Sequence, residues 1–296
     1  MASNVYTHQS SNVFKTYLLM AIFLVVIGGV GYFLSEYYGS PDILYLALFF
    51  SIFMNIFSYW FSDKVALSIS GARPATREEY FDLYTVTENL AIAAGLPMPK
   101  LFVINDPAPN AFATGRDKDH SSVAVTTGLL ERLERNELEG VIAHELSHIG
   151  NRDILLMTVV VVLVGLLSIL SDMFLRSRLY GFGSRDNDNN KAGGVLAIVG
   201  LVLIVLSPII ATLIKLAISR RREFLADASG ALLTRYPEGL ASALEKISSY
   251  QQPMQKASTA TAHMFISNPF GSKSLTGLFQ THPPVAKRIQ ILRSMG

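Results

Sequence analysis

Two histidines four residues apart, with a glutamate beside the first, can hold a metal ion and place a base next to it. The run His144-Glu145-Leu146-Ser147-His148 has this form. On an α-helix four residues make a little over one turn, so both imidazoles leave one face and meet a single ion at zinc–nitrogen distances of about 2.0–2.1 Å. Glu145 stands one position along, within reach of a water on that ion. Zinc lowers the pKa of such a water from about 15.7 to about 7, and a carboxylate can then take its proton and deliver it to a leaving amine. A Glu-activated, zinc-bound water is the chemistry of peptide-bond hydrolysis.

Two histidines leave a tetrahedral catalytic site one protein ligand short, because the fourth position belongs to water. The 296 residues include no cysteine, so the missing ligand is a His, Asp or Glu. Glu223 is the candidate on topological grounds. His148 lies just before one long apolar run and Glu223 just after the next, so a two-span hairpin returns the chain to the same membrane face. Asp227, four residues further on, shares a helix face with Glu223 and suits the free N–H of a metal-bound imidazole. The alternative is that Glu223 is a solvated acid neutralising Arg220 to Arg222. His282 lies in Thr281-His282-Pro283-Pro284, where the prolines stiffen the backbone and the imidazole can donate to a tetrahedral oxyanion. Spacing alone leaves that role open. His263 reads as a packed residue, and His120 and His8 receive no role.

The elements that must position these groups are largely apolar. Half the residues are hydrophobic, the mean hydropathy is +0.35, only 16% are charged and the net charge is +2. There is no acidic tail or broad basic field, so no nucleic acid is expected as a partner. Thr16 to Leu34 and Ile43 to Phe61 each have about the twenty apolar residues that cross roughly 30 Å of hydrocarbon. They read as a transmembrane hairpin without a removable signal before it. Its connection lacks Lys and Arg, whereas Lys15 precedes the first span and Lys64, Arg73 and Arg77 follow the second, which puts both outer ends in the cytoplasm. Ile154 to Leu175 and Gly193 to Ile218 form a second candidate hairpin around the polar segment Arg176 to Lys191. Four regions result: residues 1–63, tail and first hairpin; 64–153, first part of a protease domain; 154–218, second hairpin; 219–296, second part of the domain with the third ligand.

Between the hairpins the sequence turns α/β. Thr76 with Glu79 has the spacing of a capping box for a helix ending near Ala94, where Gly95 and Pro97 stop it. Lys100 to Ile104 and Ser122 to Thr126 read as strands, and Asn136 as the cap of the helix that carries both histidines. Asn110, Ala111, Phe112, Ala113 and Thr114, followed by Gly115, form either a third strand whose edge receives an extended substrate or a plain loop. Pro237 suits the first turn of a later helix, and a final helix follows Pro283-Pro284.

Taken together, Asn110-Ala-Phe-Ala-Thr-Gly115, His144-Glu-Leu-Ser-His148 with Asn151 and Asp153, Arg222-Glu-Phe-Leu-Ala-Asp227, Thr281-His-Pro283 and the early hairpin resemble the HtpX-like membrane zinc metalloproteases, heat-shock proteases related to the CAAX prenyl proteases. The resemblance covers nearly the whole chain. It implies a membrane α+β fold in which helical hairpins carry a zincin-like cytoplasmic domain, with one Zn2+ per chain on His144, His148 and Glu223. It also implies Glu145 as acid and base, His282 and Asp227 in support, and degradation of unfolded or misassembled proteins in the bacterial inner membrane. Two rival readings remain. A site-2-type intramembrane protease takes an Asp from an Asp-Gly pair, and this chain has no such pair. A non-catalytic protein with a structural metal would close the site with a fourth protein ligand and has no need of Glu145.

Overall fold

The computed structural model describes residues 5–163, 165, 220–271 and 283–295. Two long helices come first, α1 (Val5–Tyr38) and α2 (Asp42–Ile69). Within them Ser10–Tyr38 and Asp42–Ile69 are long and apolar enough to cross a membrane. At 1.5 Å per residue α2 measures about 42 Å, so its last turns stand clear of a roughly 30 Å hydrocarbon layer. It therefore runs past residue 63, where the sequence had suggested a boundary. Leu46, Phe49, Phe53 and Trp60 along α2 are exposed, a surface suited to lipid rather than to water.

Four strands follow: β1 (Ala72–Pro74), β2 (Lys100–Ile104), β3 (Ala111–Gly115) and β4 (Ser121–Thr126), in the order β1-β2-β4-β3. β2 and β4 run parallel, and the other two pairs are antiparallel. The segment 111–115 is thus a strand, and it lies at the edge of the sheet. β1 has only three residues, too few to show a period of two in sequence.

Helix α3 (Phe81–Ala94) begins later than its expected capping box. Thr76 Oγ1 accepts from Glu79 N at 3.4 Å and Thr76 O from Tyr80 N at 3.1 Å, but this closes one turn only. Tyr80, at φ −125° and ψ 53°, breaks it from the helix. Gly95 then ends α3 with φ 65°, a left-handed conformation cheap only for glycine.

Helix α4 (Thr127–Arg132) leads into α5 (Arg135–Gly150), the helix of both histidines. Its N-cap is Glu134 rather than Asn136. The Glu134 side chain accepts from the Glu137 backbone while Glu137 Oε2 accepts from Glu134 N at 2.8 Å, which leaves Asn136 inside the first turn. Glu137 also accepts from Ser242 Oγ and Lys246 Nζ, both at 2.7 Å. Val141, Ile142 and Leu146 of α5 join Ala111, Ala113, Val123 and Val125 of the sheet in one buried core.

After Gly150 the chain turns by 84° into α6 (Asp153–Leu163), with Arg152 at φ 57° in the bend. Helices α7 (Arg220–Thr234), α8 (Pro237–Ser249) and α9 (Val285–Arg293) complete the domain, with Pro237 in the first turn of α8 as expected. Gly230 lets α7 lie directly on α5: a Cβ there would stand 3.0 Å from His144 N. Beyond residue 165, the second hairpin and its polar loop lie outside the described residues, as does His282.

Candidate metal centre

The close contact of α7 with α5 brings Glu223, in the first turn of α7, to the histidine face of α5. His144 Nε2 and His148 Nε2 are 3.2 Å apart, and Glu223 Oε2 and Oε1 lie 3.9 and 3.6 Å from them respectively. All three residues are buried. Four-coordinate bonds of about 2.0–2.1 Å set ligand atoms about 3.3 Å apart, so this triangle is the right size for one ion after small side-chain shifts. Among the described residues this is the group of His and carboxylate side chains able to hold a metal.

Each histidine is backed by a carboxylate on its other nitrogen. His148 Nδ1 is 3.0 Å from Asp153 Oδ2 in a hydrogen bond. His144 Nδ1 lies 3.0 Å from Asp227 Oδ1, in ion-pair range but out of line for a good hydrogen bond. Carboxylates in these positions fix the tautomer and ring plane that aim Nε2 at a metal. Asp227 is gripped in turn by Arg288, through Nη2 to Oδ1 at 2.7 Å and Nε to Oδ2 at 2.8 Å. Arg288 Nη1 also lies 3.6 Å from Glu223 Oε2 and donates to Ile266 O at 3.3 Å. The guanidinium is fully buried, which balances part of the negative charge gathered here.

Electrostatics separate the acids and bases. Burial alone would lower His148, but Asp153, Glu223 and Glu145 outweigh it and push the imidazole up to about 9. Burial holds His144 below its ordinary value against the pull of Asp227. Burial would raise Asp227, yet Arg288 and His144 keep it below the usual carboxylate range. Glu145 is pushed up to about 7 by burial, with Glu223 adding to the effect. The Ala113 backbone N–H reaches the Glu145 carboxyl, and its Oε2 is buried without a hydrogen-bond partner. A buried carboxyl thus stands beside the cluster of His144, His148 and Glu223.

The edge strand faces this carboxyl. Ala111 O accepts from Ile266 N at 2.9 Å, so one end of the outer edge of β3 is already occupied by the chain itself. Asn110 holds the same segment, donating Nδ2 to Ser267 O at 3.0 Å and accepting from Ser267 N at 3.2 Å. Phe112 points to the opposite face and stacks edge-on against Phe265. Thr114 Oγ1 lies 3.1 Å from Thr158 Oγ1 of α6. His263 is packed as expected, buried with Nε2 2.9 Å from Met157 O.

The family model of peptidase family M48 matches residues 78–296. The chain belongs to peptidase family M48. The "Protease HtpX homolog" of Caldanaerobacter subterraneus subsp. tengcongensis is 51% identical over 295 residues, covering 98% of each chain. That of Dictyoglomus turgidum is 48% identical over 292 residues, covering 98% of this chain and 95% of its own. In Pyrococcus furiosus the corresponding protein is 47% identical over 283 residues, covering 95% of each. The crystal structure of S. mikatae Ste24p shares the fold with a TM-score of 0.51 at 19% identity, over 96% of this chain and 67% of that one. As a member of family M48 with two apolar membrane helices and a zincin-like domain, the chain is a membrane metalloendopeptidase.

Three residues of the site carry no role in the sequence reading: Asp153, Arg288 and Asn12. Asp153 follows His148 by five residues, a spacing that only the sharp bend after α5 turns into a contact. Arg288 sits on a short helix of mixed polarity, and nothing local distinguishes it from a solvated arginine. Asn12 lies near the start of α1, 141 residues from its partner.

Proposed function

We propose that this metalloendopeptidase uses zinc and cleaves unfolded or misassembled membrane proteins, as part of quality control in a bacterial inner membrane. The observation that carries the zinc reading is the buried triangle of His144, His148 and Glu223, backed by Asp153 and Asp227. Zinc bound there would polarise a scissile carbonyl and lower the pKa of a water to about 7. Glu145 is the group placed to take a proton from a water activated in this way and to return it to the departing amine, so that it would act as both base and acid. A buried carboxyl that titrates near neutrality suits both halves of the transfer.

Substrate reaches the site as an added strand on the outer edge of β3. Ala113 directs its N–H towards Glu145 rather than into the ladder with β4, so an extended chain paired there passes its peptide bond by the base. Backbone pairing asks little of side chains, which suits a protease for unfolded substrates. The basic residues flanking the first hairpin support an active site on the cytoplasmic side.

The test is cleavage by detergent-purified protein of one substrate in folded and in unfolded form. Cleavage of the unfolded form alone, abolished by chelation and restored by zinc, supports the reading. Equal cleavage of the folded form removes the quality-control reading, and full activity after chelation removes the zinc reading.

A further inference from the structure

The first apolar helix does more than anchor the chain. Asn12 of α1 is 3% exposed, and its Nδ2 donates to Asp153 Oδ1 at 2.6 Å and to Asn151 O at 3.2 Å. Both partners are acceptors only, a carboxylate and a backbone carbonyl, so the amide must present its nitrogen to them. Asp153 uses its other oxygen, Oδ2, on His148 Nδ1 at 3.0 Å. A continuous chain of hydrogen bonds therefore runs from α1 through Asp153 to a metal-binding imidazole. Arg222 Nη1 stands further from Asp153 Oδ1, at 3.8 Å.

The place of the contact matters as much as its length. Asn151 caps the C-terminus of α5, where backbone carbonyls lack partners within the helix. The next residue, Arg152, takes φ 57°, and α6 leaves at 84°. Asn12 thus ties together the end of the helix carrying His148 and the start of the helix carrying Asp153. Asn12 and, at longer range, Arg222 both face Oδ1 of Asp153, and Asn12 makes the short hydrogen bond. If the Asn12 amide is removed, Asp153 keeps its bond to His148 and its longer ion pair with Arg222 but loses the short hydrogen bond on Oδ1.

We infer that Asn12 is a positioning residue of the metal centre: its side-chain N–H holds Asp153 in the orientation that aims His148 Nε2 at the metal. The inference rests on the zinc reading of the site and goes beyond it, because it makes the seating of α1 a determinant of metal affinity. Partners one step removed from a metal ligand typically contribute 10- to 100-fold in affinity or activity; Asn12 stands one step beyond Asp153, so its share is smaller than that of Asp153 itself.

The test compares full-length, detergent-solubilised native protein with Asn12→Ala, Asn12→Asp and Thr16→Val, titrating zinc against a competing chelator and measuring kcat and KM at saturating zinc. Thr16 is a matched control: it is buried on α1 one turn further along and bonds only back to Asn12 O in the hydrogen bonds described. Asn12→Asp keeps the shape but replaces the donor with an acceptor facing Asp153. The expected result is zinc binding weakened by about threefold to tenfold in Asn12→Ala, at or below the lower end of the range for direct ligand partners, at least as weak in Asn12→Asp, and unchanged in Thr16→Val, with kcat reduced and KM retained. Native affinity in Asn12→Asp would show that shape suffices and overturn the inference. So would a loss in Thr16→Val equal to that in Asn12→Ala, because helix seating without the amide would then explain it. A native chain that takes up no zinc overturns the zinc reading itself.

Discussion

Arg288 grips both carboxylate oxygens of Asp227 in a fully buried pair, at 2.7 and 2.8 Å, and Asp227 stands 3.0 Å from the ring of His144. Helix α9 is thereby joined to a histidine of the candidate metal centre on α5. A planar guanidinium fits a carboxylate in this two-pronged way, and an ammonium does not.

Replacing Arg288 by Met should therefore leave Asp227 buried beside Glu223 without its main compensating charge. The expected loss is about 3–5 kcal/mol of stability, the usual cost of stripping one partner from a buried pair. Arg288→Lys should recover little of it. Unfolding of the detergent-solubilised variants measures both, and native stability in Arg288→Lys would contradict the importance of the two-pronged contact.

The outer edge of β3 makes a second prediction. Ala113 pairs with Val123 in the register of β3 and β4, yet its N–H points to Glu145. Ala113→Pro removes this donor without taking a bond from the ladder, so peptide cleavage should fall at least tenfold while bound metal is kept. The loss corresponds to about 1.4 kcal/mol or more of transition-state stabilisation. Unchanged cleavage, with metal retained, would mean that substrate does not pair at this edge.

Burial of Glu145 gives a pH dependence with a definite sign. Its carboxyl is raised from 4.5 to about 7 in the metal-free fold, so the folded state binds the proton more tightly than the unfolded state. The cost of ionising it is absent below about pH 4.5, grows through the window to about 7, and is complete above. Glu145→Gln should thus stabilise the chelated, metal-free protein by an amount that rises across this window, up to about 3 kcal/mol. Unfolding of both proteins at pH 5 and pH 8 with chelator present provides the comparison. An identical difference at the two pH values would mean that Glu145 is not desolvated.

The sequence was most informative where one helix holds the chemistry. His144, Glu145 and His148 are read directly from their spacing, because the helical period alone brings them together. Glu223 is reached in sequence only by a topological step across two apolar runs, most of which lie outside the described residues, whereas the contact of α7 with α5 at Gly230 brings it to the histidines directly. Caps were less legible. Glu134 displaced Asn136 because its partner Glu137 is also held by Ser242 and Lys246, more than 100 residues away. Asp153 meets His148 only because the chain bends sharply after α5, and Arg288 and Asn12 make their contacts from a short helix and the first apolar helix, 61 and 141 residues away from their partners, so no local pattern marks them. The edge position of β3 likewise depends on strand order, which a single strand's sequence does not specify.

The most direct measurement is metal content and cleavage of an unfolded substrate for the native chain, Glu145→Gln and Glu223→Ala, side by side. Glu145 should prove dispensable for the metal and essential for cleavage, whereas Glu223→Ala should lose both zinc and activity. Normal cleavage by Glu145→Gln, or full zinc occupancy in Glu223→Ala, would contradict the assignment of base and ligand in this site.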